Sequence, residues 1–449
     1  MKKLHPLLSV LFFLSFGFSQ EKVNVNNLVQ YGEKFFREND DEPFSGLVFD
    51  MDKITGNKIL NYKMVNGLKN GFYKEFHLNG NKKIEGNYKK GLVDGLRTEW
   101  YENGQKYEEI TYKNGKRNGL NTLWYENEKK KEEVTYKNGK RNGLYTVWRE
   151  NGQKYEEITY KNGKYDGLHT LWYENGKKKE EVTYKNGKRN GLHAGWRKNG
   201  QKIVEGTFED GKKYGLRTEW YGNGQRKYEG TFIDDKEEGL QIEWYGNGQK
   251  KSEGNYKHGN EDGLVTNWYE NGNKVFEKTF KDGKEIEETK WRYYSNGQKR
   301  YEINYNNGKQ DGLYTRWYKN GKKKLQKTYK DGKADGLQTY WYENGQKRYE
   351  TTYKNGKEDG LDTEWYENGQ KENERTWKDG KQDGLFTFWY ENGKKKFQET
   401  YKNGKRGLVT EWYENGQKQM EYGNKDGSIK NWNKDGSVKY WNKDGSVKE

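Results

Sequence analysis

The side chains able to do chemistry are few and poorly placed for it. The 449-residue chain has no cysteine, which removes disulfides, thiolate metal sites and thiol nucleophiles together. Past the first few residues the histidines are His77, His169, His193 and His258, of which only His169 and His193 hold equivalent positions, 24 residues apart. In a sheet that step is roughly 10 Å, too wide for one metal whose bonds to imidazole are ~2.0–2.1 Å. Both are therefore expected at exposed, variable positions. Serine is sparse and no base is placed to activate it. A register of glutamates, Glu85, Glu109, Glu133, Glu157, Glu181, Glu205, Glu229, Glu253, Glu277 and Glu302, offers carboxylates in quantity. Glycoside cleavage needs two acids in different environments across a cleft, and ten equivalent ones have a single environment. They read as a structural ladder pairing with Lys or Tyr across strands. No catalytic residue, metal ligand or cofactor is expected, and the chain is read as non-enzymatic.

Binding has more to work with. Trp100, Trp124, Trp148, Trp172, Trp196, Trp220, Trp244 and Trp268 recur every 24 residues and could stack on sugars, although the same rings are needed to hold a sheet together. Lys113, Lys116 and Arg117, then Lys137, Lys140 and Arg141, recur in the connecting segments and would lay a positive stripe along one edge. Such a stripe could contact polyanions or anionic headgroups. A solvated rim that resists edge pairing and aggregation is the preferred reading. With 69 acids against 85 bases and acidic segments such as Lys357-Glu358-Asp359, a nucleic-acid partner is disfavoured.

What must position these residues follows from composition. Hydrophobic residues are 29% of the chain and aromatics alone 16%, with 17 Trp and 38 Tyr. Globular chains are usually ~45–50% apolar, so the aliphatic filling of a layered core is missing. Disordered chains avoid aromatics, so disorder is excluded too. A quasi-linear repeat array remains. Gly-Leu pairs confirm the period at Gly95, Gly119, Gly143, Gly167, Gly191, Gly215, Gly239 and Gly263, resuming at Gly312, Gly336, Gly360 and Gly384.

In one unit, Gly95 to Asn118, the stretch Leu96–Tyr101 alternates as a strand, Asn103-Gly104 supplies a tight turn, and Lys106–Tyr112 returns. A three-residue loop, Glu102–Gly104, with Gly104 left-handed, would pair Leu96 with Ile110. Leu96, Thr98, Trp100, Ile110 and Tyr112 would then share one side. Each Trp would alternate with an aromatic of the return strands, Tyr88, Tyr112, Tyr136, Tyr160, Tyr184, Phe208 and Phe232, in one ladder of rings. The expected fold is all-β: an elongated single-sheet array of about sixteen 24-residue antiparallel β-hairpins forming a twisted rod. One unit is irregular, with Tyr293 in the Trp slot and Trp291 two residues ahead.

Four segments follow. Residues 1–19, with Lys2 and Lys3 before the apolar run Leu7–Phe18, read as a signal peptide cut after Ser19. Residues 20–45 form an N-terminal cap, in which Phe35, Phe36 and Phe44 could cover the first hairpin. Residues 46–423 are the array, and 424–449 a cap of nine-residue repeats built on Asn-Lys-Asp-Gly-Ser. The mature chain has no transmembrane segment, and export to the periplasm, cell surface or exterior is expected.

The pattern Tyr228-Glu229-Gly230-Thr231-Phe232, followed by Gly239-Leu240 and Trp244, resembles the MORN repeat. The whole unit, Gly-Leu-x-Thr-x-Trp-Tyr-x-Asn-Gly-Gln-Lys, looks more like its bacterial variant. That resemblance implies a β-hairpin array and a role in protein binding or scaffolding. Members are commonly labelled antitoxins of toxin–antitoxin pairs, and some are thought to contact phospholipids. The expected function is an exported, non-catalytic scaffold binding another, unknown protein along its β surface. The alternatives are a binder of surface polysaccharide or anionic lipid, and an antitoxin-like neutraliser of a partner toxin.

Overall fold

The structure, a computed structural model, describes residues 21–423, 429–432, 438–441 and 447–448. The expected leader, 1–19, lies outside the described residues, as do the tail turns at 424–428, 433–437 and 442–446. The chain divides into two units, Met1–Lys213 and Tyr214–Glu449. Both are all-β, and in each the repeat strands run antiparallel in chain order, every strand bonded to the next.

In the first unit, the repeat built on Gly95–Trp100, Lys106–Lys113 and Lys116–Trp124 is representative. Tyr101 N–H donates to Gln105 O at 2.9 Å and Gly104 N–H to Tyr101 O at 3.0 Å. These bonds close the three-residue loop Glu102–Gly104, with Gly104 at φ +88°. At the other end Lys113 pairs with Lys116. Asn114 (φ +50°) and Gly115 (φ +75°) thus form a two-residue turn whose positive φ values match the twist of the strands.

Although the loop forms as expected, the pairing beyond it does not. Trp100 pairs with Lys106, but Glu99 then pairs with Glu108, so a bulge absorbs Tyr107 and shifts the register by one. Leu96 faces Thr111 rather than Ile110, and Ile110 faces Arg97. Since strand side chains alternate, Leu96, Thr98, Trp100, Glu109 and Thr111 occupy one face; Arg97, Glu99, Ile110 and Tyr112 occupy the other. The expected common ladder of Trp and return-strand rings is therefore corrected: the two ring sets lie on opposite sides. The bulge recurs before Trp124, Trp148, Trp172 and Trp196.

Among the described residues of this unit's repeats, the larger buried aliphatic side chains lie on one face, while threonines such as Thr98 and Thr122 are buried on the other. Ile110, Val134 and Ile158 are 0% exposed and Val182 2%, set across the strands between Arg97 and Asn121, Asn121 and Tyr145, Tyr145 and His169, and His169 and His193 in turn. A conventional cluster exists only near the start of the described chain. There Val23, Phe44, Val48, Tyr62 and Met64 pack with Phe35 and Leu28, and Lys22–Asn24 runs parallel to Gly46–Met51.

The second unit repeats the scheme, with Tyr342 N–H bonded to Gln346 O and the pair Lys354 and Lys357 flanking a two-residue turn. Its irregular strand, Lys284–Tyr293, pairs Tyr293 with Lys299 and Trp291 with Glu302. Trp291, not Tyr293, carries the lysine of the preceding return strand, Lys274, at 5.7 Å. In the tail, Ile429–Trp432 pairs with Val438–Trp441, and Val438–Trp441 with Val447–Lys448, all antiparallel.

Candidate functional site

The tryptophan face is a lattice of three side-chain types. In the first unit the ammonium of Lys82 lies 5.3 Å from the Trp100 ring centre, and Lys106, Lys130, Lys154 and Lys178 lie 5.7–5.9 Å from Trp124, Trp148, Trp172 and Trp196. Each such lysine also holds a glutamate three residues on, as Lys106 holds Glu109 at 2.5 Å. Residues three apart in a flat strand point to opposite faces; the bulge at Tyr107 brings these two together. The glutamate register thus pairs mainly along its own strand rather than across strands as expected; Glu85, which also meets Lys74 of the neighbouring strand at 2.9 Å, keeps the expected pairing, while a threonine such as Thr98 lies opposite Glu109. In the second unit Lys250 stands 5.9 Å from Trp268, and Trp220 and Trp244 pair in register with Arg226 and Lys250.

Beside the tryptophans runs a row of leucines. Leu96, Leu120, Leu144, Leu168 and Leu192 are 40–51% exposed, and Leu264, Leu337 and Leu385 of the second unit 50–51%. A large apolar side chain left in solvent once is ordinary, but here one recurs repeat after repeat on the same face, with a threonine such as Thr111 or Thr135 on the strand between. Sequence reasoning had placed these leucines on the packed side.

The opposite face is built of Tyr, Arg and the buried aliphatics. Arg141 lies 4.5 Å from the Tyr145 ring and 5.4 Å from that of Tyr160, and donates to the Tyr160 hydroxyl at 3.0 Å. Arg117 does the same to Tyr136 at 3.3 Å. Both arginines therefore leave the stripe in which they were expected. Burial, with the Glu132 charge adding, pushes the Tyr145 phenol up to about 12. His169 and His193 also sit on this face, largely covered rather than exposed as expected, with Nε2 2.8 Å from Glu156 and 3.1 Å from Glu180. Val182 stands between them. Among the described residues no group of three or more acids and histidines could hold a metal ion.

Both edges are stitched. On the Asn-Gly edge, Gly139 N–H donates to Arg117 O at 2.7 Å and Asn138 N–H to Asn118 Oδ1 at 3.1 Å, so each turn hangs on the one before. Lys113 faces Lys116 across its turn, and Lys137 faces Lys140, all four exposed. On the other edge, the hydroxyls of Tyr101, Tyr125 and Tyr173 donate to the carbonyls of Trp124, Trp148 and Trp196 in the next repeat, at 2.8–2.9 Å. These tyrosines were missed, though their recurrence directly after Trp100, Trp124 and Trp172 was visible.

The family pattern described as MORN repeat variant matches residues 93–114, 117–138, 141–162, 165–186, 213–234, 237–258, 261–282, 291–307, 310–331, 334–355 and 382–403, over half of the chain. The chain is a MORN-variant repeat protein. No curated protein matches this MORN-variant chain. Among solved structures it is similar to the crystal structure of TcdB2-TccC3-Cdc42 (11% identity, 91% of this chain and 24% of that one, TM-score 0.18). It is likewise similar to the Photorhabdus luminescens Tc holotoxin pore carrying TccC3-D651A (12%, 92% and 26%, TM-score 0.16). The chain spans about a quarter of the length of those chains. No helix among the described residues is long and apolar enough to cross a membrane.

Proposed function

We propose that this MORN-variant protein is an exported, non-catalytic scaffold that binds another protein through its tryptophan face. One observation carries the proposal: the leucine row, with residues such as Leu120 and Leu144 half exposed beside a lattice of half-buried indoles. Successive leucines in a unit are two strands apart, roughly 9.6 Å. A partner strand or hairpin array with that spacing would make many equivalent weak contacts in series, so affinity would grow with the number of repeats engaged.

The test is photocrosslinking in the native cell envelope from a probe placed beside Leu144. Wild type is compared with a Leu120→Glu/Leu144→Glu/Leu168→Glu variant and with a Lys113→Ala/Lys137→Ala variant. A discrete adduct lost only in the leucine variant supports the proposal; an adduct indifferent to it, or lost only with the lysines, overturns it.

A second possibility has its own observation, the opposed lysines Lys113 with Lys116 and Lys137 with Lys140. Like charges directly across a turn are unfavourable, and a surface polyanion or anionic headgroup would relieve them. Binding of that kind falls steeply with salt, whereas docking on leucines does not.

A further inference from the structure

Asparagine followed by glycine is the dipeptide in which a backbone nitrogen most readily attacks the side chain before it, because glycine has no Cβ to shield that nitrogen. Such a pair closes most turns of this chain. In the second unit's two-residue turns the glycine nitrogen is engaged: Gly332 N–H donates to Gln310 O at 2.7 Å, Gly356 N–H to Ala334 O at 2.7 Å and Gly404 N–H to Gln382 O at 2.8 Å. In the three-residue loops it bonds locally, as Gly345 N–H does to Tyr342 O at 3.0 Å. There the asparagine is tied as well, Asn344 Oδ1 accepting from Gln346 N–H at 2.9 Å. The first unit's turns follow the same rule, from Gly67 and Gly115 to Gly187. Asn70, Asn118, Asn142 and Asn190 also precede glycine but lie inside strands.

Asn307-Gly308 departs from the rule. Its turn has the ordinary shape, with Asn307 at φ +47° and Gly308 at φ +75° between the paired Asn306 and Lys309. The carbonyl of Ile286, which stands to Gly308 as Gln310 stands to Gly332, is taken instead by Asn307 N–H at 2.8 Å. Among the described Asn-Gly turns, Gly308 is the one whose N–H has no backbone acceptor. The cause is the irregular strand before it. Lys284–Tyr293 has 10 residues where Asn260–Trp268 and Lys309–Trp317 have 9, and Glu287 stands where those strands carry a glycine. Pairing in the next repeat stops at Gly312 with Tyr329, whereas here it runs one residue further, to Glu287 with Asn306. The acceptor therefore slides by one residue. The turn is also unsupported. A Cβ at Gly332 would meet Lys309 Cβ at 3.9 Å, and one at Gly356 would meet Lys333 Cβ at 3.7 Å; at Gly308 it would meet nothing within 4 Å. Asn306 to Lys309 are all exposed.

We propose that Asn307 is a site of spontaneous modification, at which the Gly308 nitrogen closes on the Asn307 side chain to a succinimide that water opens to aspartate or isoaspartate. Water is the only co-reactant. Hydroxide takes the Gly308 amide proton as the nitrogen bonds to Asn307 Cγ; the Cγ–Nδ2 bond breaks and ammonia leaves with a proton from water. Water then adds to one of the two imide carbonyls. Breaking the new N–Cγ bond gives aspartate, and breaking the original peptide bond gives isoaspartate. At the sibling turns the same closure must first open a hydrogen bond, and one bond of ordinary strength slows it by about threefold to tenfold. The Asn307 carboxamide donates only to its neighbour, Asn306 Oδ1, at 2.7 Å, so no other repeat holds it away from Gly308. The product brings a carboxylate, and in the isoaspartyl form a further backbone carbon, into the turn that hangs on Ile286. The change falls on a link between repeats, each of which is stabilised by its neighbours.

Ageing the full chain in warm, mildly alkaline heavy-oxygen water tests the proposal, with rapid digestion in ordinary water and fragment mass spectrometry. Heavy oxygen marks the asparagines converted during ageing, and fragmentation separates Asn307 from Asn306. In the folded chain Asn307 should convert at least about threefold faster than Asn355 and Asn403, and in urea the three should convert alike. Amide exchange should find Gly308 less protected than Gly332 and Gly356. Comparable conversion in the folded chain, or equal protection of the three glycines, would overturn the proposal. So would the same lead for Asn307 in urea, which would trace it to the flanking residues rather than to the fold.

Discussion

The phenolic hydroxyl of Tyr125 donates to the carbonyl of Trp148, one repeat further on, at 2.9 Å. The bond joins neighbouring repeats outside the ladder of strand bonds, and the same contact recurs from Tyr101 and Tyr173. Tyr125→Phe should cost about 0.5–1.5 kcal/mol, the net worth of one hydrogen bond. Because each repeat touches only its neighbours, a triple Tyr→Phe change at 101, 125 and 173 should cost close to the sum. Urea unfolding measures both; a triple variant no less stable than the single one would remove the stitch from the account.

The two faces make opposite predictions for similar truncations. Ile158 is 0% exposed on the tyrosine face and Leu144 is 50% exposed on the tryptophan face. Ile158→Ala should therefore cost about 2–5 kcal/mol, and Leu144→Ala no more than about 0.5 kcal/mol. Had both side chains shared one packed side, the two costs would be alike. Equal losses in stability would contradict the register described above.

Lys130 sits 5.8 Å from the Trp148 ring centre. A double-mutant cycle with Lys130→Met and Trp148→Leu isolates that contact, because the lost Glu133 ion pair appears in both arms and cancels. A coupling of about 0.5–1 kcal/mol is expected for a cation over a partly exposed indole. It should shrink with added salt, and a coupling indistinguishable from zero at low salt would deny the lattice any energetic role.

Alkaline pH should loosen the tyrosine face. Burial pushes the phenols of Tyr62 and Tyr145 up to about 12 from an ordinary value near 10. A phenol with a raised folded pKa retains its proton while the unfolded chain loses its own, so stability is fully present below pH ~10 and declines between ~10 and ~12. Phenolate absorbance should show a late-titrating class, and the unfolding midpoint should fall across that window. In Tyr145→Phe the decline should be shallower; an identical pH profile would detach Tyr145 from it.

Much of the architecture was legible in the residues. The 24-residue step of Gly-Leu and Trp, the strand alternation and the Asn-Gly pairs led to an all-β hairpin array, and Gly104 to the three-residue loop. The cation-lined slots were not legible, because Arg117 and Lys116 look alike in sequence while alternation sends one inward over Tyr136 and leaves the other at the edge. His169 and His193 were misplaced for the same reason.

Composition and period were enough to establish a hairpin array, since both are local properties that each strand and turn expresses alone. Which side chains meet was decided by folding, through a single bulged residue such as Tyr107 in each hairpin. One extra residue costs the sequence pattern nothing, yet it reverses every face beyond it. That reversal buries Ile110 between Arg97 and Asn121, leaves Leu96 half in water and brings Lys106 onto the side of Glu109 and Trp124.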